Sequence, residues 1–369
     1  MQARRYDLPQ GAKKRVLIVD DAVVVRKTVS DAISRDAGLE VAGTACNGRL
    51  ALAKFPLLKP DIVLLDIEMP EMDGLETVRQ LRKIDRRVPI IMFSTLTEHG
   101  AAATLEALAL GATDYVTKPS NADLAGTLET VSRDLIPRIR ALCHLPELKT
   151  GLTVASRPTA PLVRPLRKLL LSAPMQVVAI GVSTGGPDAL ARVLPMLPAD
   201  LPVPVLIAQH MPPIFTTMLA ARLSTKSSLK VRECQSGEPL APGCAYIAPG
   251  DFHMIVSREG GATCLRTHQG PKENFCRPSV DVLFRSVAQV YGGRTLALVL
   301  TGMGQDGLKG CDLLGSLGAR IVVQDEATSV VWGMPGLVAR SGLADKIVPL
   351  DQIGSEIVRA TTPQAAAKN

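Results

Sequence analysis

Ser183 lies where the aliphatic run QVVAI enters GVSTGGP, so it occupies a Gly-x-Ser-x-Gly turn between an expected strand and a helix opened by Pro187. Such a turn exposes the hydroxyl while helix N-terminal amides face a developing oxyanion. Gly-rich turns with serine also bind phosphate, so the turn alone leaves two chemistries open. A serine hydroxyl is too weakly acidic to attack a carbonyl at neutral pH without an imidazole in reach and a carboxylate to orient it. There are five histidines. His210, in QHMPP after the run VPVLIA, sits at a strand's carboxyl end, where the serine turn would also lie. His99 falls in the first half, His144 at the edge of a linker, and His253 and His268 in a β-rich stretch. For the carboxylate, Asp306 lies in TGMGQDG just after TLALVL, where close-packed glycines permit a sharp loop. Asp281 and Asp325 compete, with Asp281 placed to cap or start a helix. The glycine loop could instead cradle a phosphate, but no Lys-Ser/Thr pair follows, which disfavours a Walker-type site.

A second group is acidic. Asp20 and Asp21 end the first strand, Asp66 the third, Thr95 follows the fourth and Lys118 follows the fifth. A single aspartate at a strand end reads equally as a helix cap or a surface charge. Three together repel unless a hard cation holds them, and Mg²⁺ takes a few carboxylate oxygens with water and a phosphoryl oxygen. The chemistry implied is phosphoryl transfer to Asp66, with Lys118 and Thr95 placed to neutralise charge on the equatorial oxygens.

Positioning these groups requires strand carboxyl ends that converge. From residue 15 to about 140, aliphatic runs (Val16 to Val19, Ile62 to Leu65, Ile90 to Ser94, Tyr115 to Thr117) alternate with helical patterns at Val23 to Ala37, Leu75 to Ile84 and after Asn121. The rhythm resumes at Val177 to Ile180 and continues through a helix from Pro187, Val203 to Ala208, a hairpin-like region near residues 231 to 265, helices from Val280 and Leu308, Leu296 to Leu300 and Ile321 to Val323. The fold class expected is α/β: two doubly wound parallel-sheet domains, the second with a β-hairpin insertion. In such sheets the crevice lies at the topological switch point, outside the strand carboxyl ends. Between the halves, Pro146, Pro158, Pro161 and Pro165 accompany Arg157, Arg164, Arg167 and Lys168 without periodicity, as in a semi-extended linker. The expected boundaries are a basic tail at 1–14, a first domain at 15–140, a linker at 141–172, a second domain at 173–360 and a disordered tail at 361–369.

Composition excludes several classes. At 369 residues two domains are expected, and 46% apolar with 3% aromatic residues describes aliphatic cores rather than a disordered scaffold. The seven cysteines are scattered without CxxC or Cys/His ligand spacing, against a disulfide framework or zinc site and in favour of a reducing cytoplasm. No apolar run suits a signal peptide or a membrane span, so membrane insertion is not expected. The net charge of +7 sits largely in the tail and the central segment rather than along a base-reading helix, so nucleic acid is not the expected partner.

The first half resembles the response-regulator receiver family through VDD (19–21), LLDIEMPEMDG (64–74), ST (94–95) and TKP (117–119). The spacings, 29 residues from Asp66 to Thr95 and 23 from Thr95 to Lys118, are close to that family's. Ala22 and the Val24-Val25 pair depart from its pattern without touching the chemistry. The resemblance implies a flavodoxin-like fold, phosphorylation of Asp66 by a histidine kinase, Mg²⁺ held by Asp20, Asp21, Asp66 and the Glu68 carbonyl, and transmission through Thr95 and Tyr115. The second half resembles the CheB methylesterase family, through IGVSTGGP (180–187), QHMPP (209–213), YIAPGDFHM (246–254), RPSVDVLF (277–284), LTGMGQDG (300–307) and VWGMP (331–335). That implies a Rossmann-like esterase domain with Ser183, His210 and Asp306 as its triad, amides near Thr184 and Met303 at the oxyanion, and no cofactor for the ester step. The implied substrates are glutamate methyl esters, and glutamines, on chemoreceptors. An unphosphorylated receiver would then cover the Ser183 crevice. Of a different class are a non-catalytic phospho-switch that only binds partners and, less well matched, a DNA-binding regulator, for which no helix-turn-helix pattern follows the first domain.

Overall fold

The computed structural model describes residues 13–118, 128, 131–145 and 174–362. Chain contacts divide it into two units, with the division between residues 153 and 154. Most of the expected linker, most of both expected tails, Pro119 and the start of the helix expected after Asn121 lie outside the described residues.

In the first unit β1 (Lys14–Val19), β2 (Leu39–Ala45), β3 (Ile62–Asp66), β4 (Ile90–Ser94) and β5 (Asp114–Thr117) form one parallel sheet in the order β2-β1-β3-β4-β5. β3 and β4 are buried at every residue, because α1 (Val23–Ser34), α2 (Gly48–Leu58), α3 (Gly74–Ile84) and α4 (Glu98–Ala109) intervene between strands, and parallel crossovers cover both faces. Asn47, Asp73 and Thr97 start α2, α3 and α4 by accepting hydrogen bonds from the amides of Leu50, Glu76 and Gly100. The first helix stops at Ser34 rather than Ala37. Asp36 turns the chain there, accepting from Gly38 N at 2.8 Å and from Arg140 Nη1 at 2.6 Å. Arg140 belongs to α5 (Ile136–Leu142), the last helix among the unit's described residues, which runs slightly past the expected boundary at 140.

The main sheet of the second unit has seven described strands, β6 (Val177–Val182), β7 (Val205–Gln209), β8 (Lys230–Glu233), β9 (Cys244–Ile247), β12 (Thr295–Val299), β13 (Arg320–Gln324) and β14 (Lys346–Val348). They pair in parallel in the order β14-β13-β12-β6-β7-β9-β8. The expected hairpin exists as β10 (His253–Glu259) against β11 (Ala262–His268). The start of the region expected to be hairpin-like, from residue 231, is not a hairpin: β8 and β9 pair in parallel within the main sheet, with β8 at its edge and β9 between β8 and β7. Both have four residues, and all four of Cys244–Ile247 are buried, so neither shows the alternation that marks a strand in sequence. Tyr246 holds the return between them, accepting from Ala241 N at 3.0 Å. The helices are α6 (Gly186–Val193), α7 (Phe215–Lys226), α8 (Val280–Tyr291), α9 (Leu308–Ser316), α10 (Met334–Arg340) and α11 (Leu350–Thr361).

The topology places the chemistry. β6 pairs with β7 on one side and with β12 on the other, so successive crossovers leave β6 in opposite directions and open a crevice at the carboxyl ends of these three strands. Ser183, His210 and the loop carrying Asp306 follow those strands.

Candidate active site

Ser183 is half-buried at the end of β6. Its amide donates to Thr301 O at 3.0 Å, and its carbonyl accepts from Gly186 N at 2.8 Å, closing a tight turn in which Gly185 has φ +77°. A side chain at Gly185 would be strained by that φ and would also meet Val330 at 2.6 Å. Thr301 ties the neighbouring loop to this turn, donating from Oγ1 to Thr184 O at 2.9 Å. His210 is registered on Ser183 through the backbone. Its amide donates to Val182 O at 3.1 Å, and Gln209 Nε2 donates to the carbonyls of both Ser183 and His210.

Asp306 is 2% exposed and saturated. Oδ1 accepts from Asn274 Nδ2, Ser279 Oγ, Asp281 N and Gly307 N, while Oδ2 accepts from Val280 N at 2.6 Å and faces His210 Nε2 at 2.8 Å. Burial opposes the charge on Asp306, but the bond and charge of His210 and the amides of Val280 and Asp281, at the N-terminus of α8, hold it ionised below the usual carboxylate range. With Nε2–H donating to this carboxylate, Nδ1 is the ring nitrogen left to gain or lose the second proton. That nitrogen lies 3.4 Å from Cys276 Sγ. The imidazole is therefore engaged on both sides, and among the described residues Ser183 Oγ makes no hydrogen bond to it.

The structure thus joins His210 to Asp306 directly and brings Ser183 beside them through the backbone only. Of the proposed oxyanion positions, Thr184 is buried under Thr301, and Met303 is half-buried in the loop after β12. The competing carboxylates are used elsewhere. Asp281 accepts from Gly310 N and Asn274 Nδ2 in the first turn of α8, and Asp325 accepts from Thr328 N and Oγ1 in a turn. His253 is buried and structural, bonded to Pro271 O and Ser279 N, with the His268 ring tilted against it at 5.2 Å between centroids. Cys276 and Asn274 were not anticipated. The signal available was a cysteine immediately before the RPSVDVLF motif, in a chain whose cysteines otherwise have no ligand spacing. The donors of His210, Cys276 and Asp306 lie within 4.8 Å of one another, but six hydrogen bonds already fill Asp306, so the cluster is a hydrogen-bonded one rather than a metal centre.

In the first unit the ligand atoms of Asp20, Asp21 and Asp66 also lie within 4.8 Å of one another. Lys118 Nζ bridges Asp20 Oδ2 at 2.9 Å and Asp66 Oδ2 at 2.7 Å. A cavity of about 190 Å³ opens beside them, lined by Asp21, Asp66, Glu68, Thr95 and Lys118 among others. Burial pushes Asp66 up to about 6 against the pull of Lys118, with Asp20 adding to the rise. Asp20 Oδ2 is buried without a hydrogen-bond partner beyond that ion pair. A crevice with this surplus of buried carboxylate fits a hard divalent cation. Thr95 is exposed at the mouth, whereas Tyr115 is buried in β5.

An aspartate crevice of this kind on the same chain as an esterase-type cleft is the layout of a signalling regulator joined to a hydrolase. Residues 16–128 match the response regulator receiver domain and residues 178–357 match CheB methylesterase. A protein-glutamate methylesterase/protein-glutamine glutaminase of Trichodesmium erythraeum is 49% identical, over 94% of this chain and 99% of its own length. One of a Nocardioides species is 51% identical, over 95% and 96%. The crystal structure of the Thermotoga maritima CheB methylesterase catalytic domain matches with a TM-score of 0.50 and 40% identity, covering 51% of this chain and 99% of that one. The chain belongs to the protein-glutamate methylesterase/protein-glutamine glutaminase family, with an N-terminal receiver domain. These matches favour a hydrolase over a non-catalytic phospho-switch.

Proposed function

We propose that this protein hydrolyses glutamate methyl esters, and deamidates glutamines, on chemoreceptor helices, under the control of phosphorylation at Asp66 by a histidine kinase. The observation that carries the esterase half is the His210–Asp306 pair, clamped at 2.8 Å beside the Ser183 turn. In this reading Ser183 Oγ attacks the ester carbonyl and passes its proton to Nδ1 of the neutral His210 ring, whose Nε2–H stays on Asp306. Amides near Thr184 and Met303 receive the oxyanion. Collapse expels methanol, protonated by His210, and water then releases the glutamate by the reverse proton path. With glutamine the leaving group is ammonia. Cys276 must give up Nδ1 before Ser183 can use it.

In the receiver, Asp66 is the phosphoacceptor. Asp20, Asp21, Asp66 and the Glu68 carbonyl would hold Mg²⁺, which supplies charge neutralisation for the incoming phosphoryl oxygens. Lys118 adds a second cation at Asp66, and Thr95 offers its hydroxyl at the mouth, with Tyr115 completing the switch. Among the described residues no helix is long and apolar enough to cross a membrane. We place the activity in the cytoplasm, where seven unbridged cysteines stay reduced.

The test is methanol release from a methylated receptor. The wild type is expected to release it and Ser183→Ala to lose at least about a thousand-fold in kcat. Equal rates in the two proteins would end the serine-esterase assignment.

A further inference from the structure

Cys276 is presented to His210 by a built turn. Glu273 and Cys276 exchange backbone hydrogen bonds, at 3.2 and 2.8 Å, across Asn274 and Phe275, both with positive φ (+51° and +63°). Asn274 Nδ2 anchors that turn to Asp306 Oδ1 at 2.9 Å and to Asp281 Oδ2 at 3.0 Å. The carboxylate that orients the imidazole therefore also holds the loop that sets Sγ on its other nitrogen, at 3.4 Å. Sulfur at Nδ1 and carboxylate at Nε2 make a Cys-His-Asp arrangement, in which the imidazole is placed to take the thiol's proton as sulfur attacks. Access is also provided. Phe275, next in the chain, is 94% exposed, and of the seven cysteines only Cys276 and Cys46 are not buried.

We infer that Cys276 is a modification site in the esterase cleft, reacting with peroxide to a sulfenic acid that closes the cleft. Sulfur attacks one peroxide oxygen, the S–O bond forms as the O–O bond breaks, and the proton that the thiol had given to His210 Nδ1 leaves with the other oxygen as water. Sulfur is oxidised by two electrons and the peroxide is reduced by two. The oxidised sulfur stays beside Nδ1 and hydrogen-bonds to it, so the nitrogen is no longer free to receive the proton of Ser183. Thiols return such a sulfenic acid to cysteine through a mixed disulfide.

Only the loss of ester hydrolysis rests on the esterase reading, since the chemistry at sulfur is read directly. The full-length protein is treated with limiting iodoacetamide, or with hydrogen peroxide followed by a sulfenic-acid trap, and each cysteine peptide is quantified by mass spectrometry. Cys276 is expected to label at least about ten-fold faster than Cys46, and His210→Gln is expected to slow Cys276 at least about ten-fold while leaving Cys46 unchanged. A Cys276 rate no greater than that of Cys46, or one insensitive to His210→Gln, would overturn the thiolate assignment. In parallel, each protein's hydrolysis is compared with its own untreated rate. Peroxide should remove most of the wild-type activity, reversibly with dithiothreitol, and spare Cys276→Ala. Equal fractional loss in Cys276→Ala would refute closure of the cleft through this residue.

Discussion

His210 is buried, and burial works against a charge on its ring, yet Cys276 and Asp306 at its two nitrogens outweigh that and push its pKa up to about 10. A protonated ring cannot take the proton of Ser183. Catalysis by the neutral ring must therefore increase as pH rises from 7 towards 10, and kcat/KM for ester hydrolysis is expected to show that ascending limb. Removing the sulfur in Cys276→Ala should move the limb to lower pH, and a limb that stays in place would assign the titration to another group. Asp306→Asn should lower kcat by about 10³ to 10⁴-fold with KM little changed, because the amide leaves His210 in the wrong tautomer. Steady-state kinetics over a methyl-ester series would read both values. Ser183, His210 and Asp306 could be found in the sequence because each follows an aliphatic strand in a loop punctuated by glycine or proline. Cys276 and Asn274 could not. Their turn follows no strand of the main sheet, and only the folded chain shows that it closes over Asp306.

At the scale of elements, the site depends on how closely the loop after β12 approaches the loop after β6. A Cβ at Gly302 would meet Ser183 Cβ at 2.8 Å and Met334 Sδ at 2.6 Å. Gly302 is further fixed by donating from its amide to Val331 O and accepting at its carbonyl from the amides of Gly333 and Met334, so the loop cannot retreat without breaking these bonds. Gly302→Ala is expected to cost about 1–3 kcal/mol of stability and a larger share of activity, at least about a hundred-fold in kcat, since the strain falls on the nucleophile turn. Denaturant titration beside kinetics separates the two, and unchanged kcat would show that the turn accommodates the methyl group. The order in which strands end in chemistry was legible from composition alone, because β6, β7 and β12 are long, aliphatic and buried. β8, β9 and β14 were not, being three or four residues long and lacking a period to detect. Asp36, with its bonds to Gly38 and Arg140, shows the same limit at a helix end, where a contact 104 residues away fixes the stop.

The chain carries two sites, and the receiver's is poised at a cost to its own stability. Asp66 has a folded pKa of about 6 against an ordinary 3.8, so between those values the folded receiver keeps a proton that the unfolded chain releases. Its stability therefore falls as pH rises from about 4 to about 6 and stays low above, by up to about 3 kcal/mol for this one group. Asp66→Asn should raise the receiver's melting temperature at pH 7.5 without metal, with the gain vanishing towards pH 4, and Mg²⁺ should stabilise the wild type more than the variant. Scanning calorimetry across pH checks this, and a wild type more stable at pH 7.5 than Asp66→Asn would reverse the sign.

A crevice that resists holding its own charge is one that a phosphoryl group and its cation can reorganise, and the tether turns that change into an intramolecular event at high local concentration. Where phosphorylation controls the esterase as proposed, a change of about 2–3 kcal/mol in its barrier corresponds to about 30- to 150-fold in activity. Acetyl phosphate with Mg²⁺ is therefore expected to raise methanol release tens-fold in the wild type and leave Asp66→Asn at its resting rate. The proposed catalytic residues lie in the other unit and are intact in that variant, so its unstimulated rate reports the unphosphorylated state alone. A wild type unaffected by acetyl phosphate, with Asp66 shown by mass to be phosphorylated, would separate phosphorylation from control of the esterase and leave the two domains as independent modules.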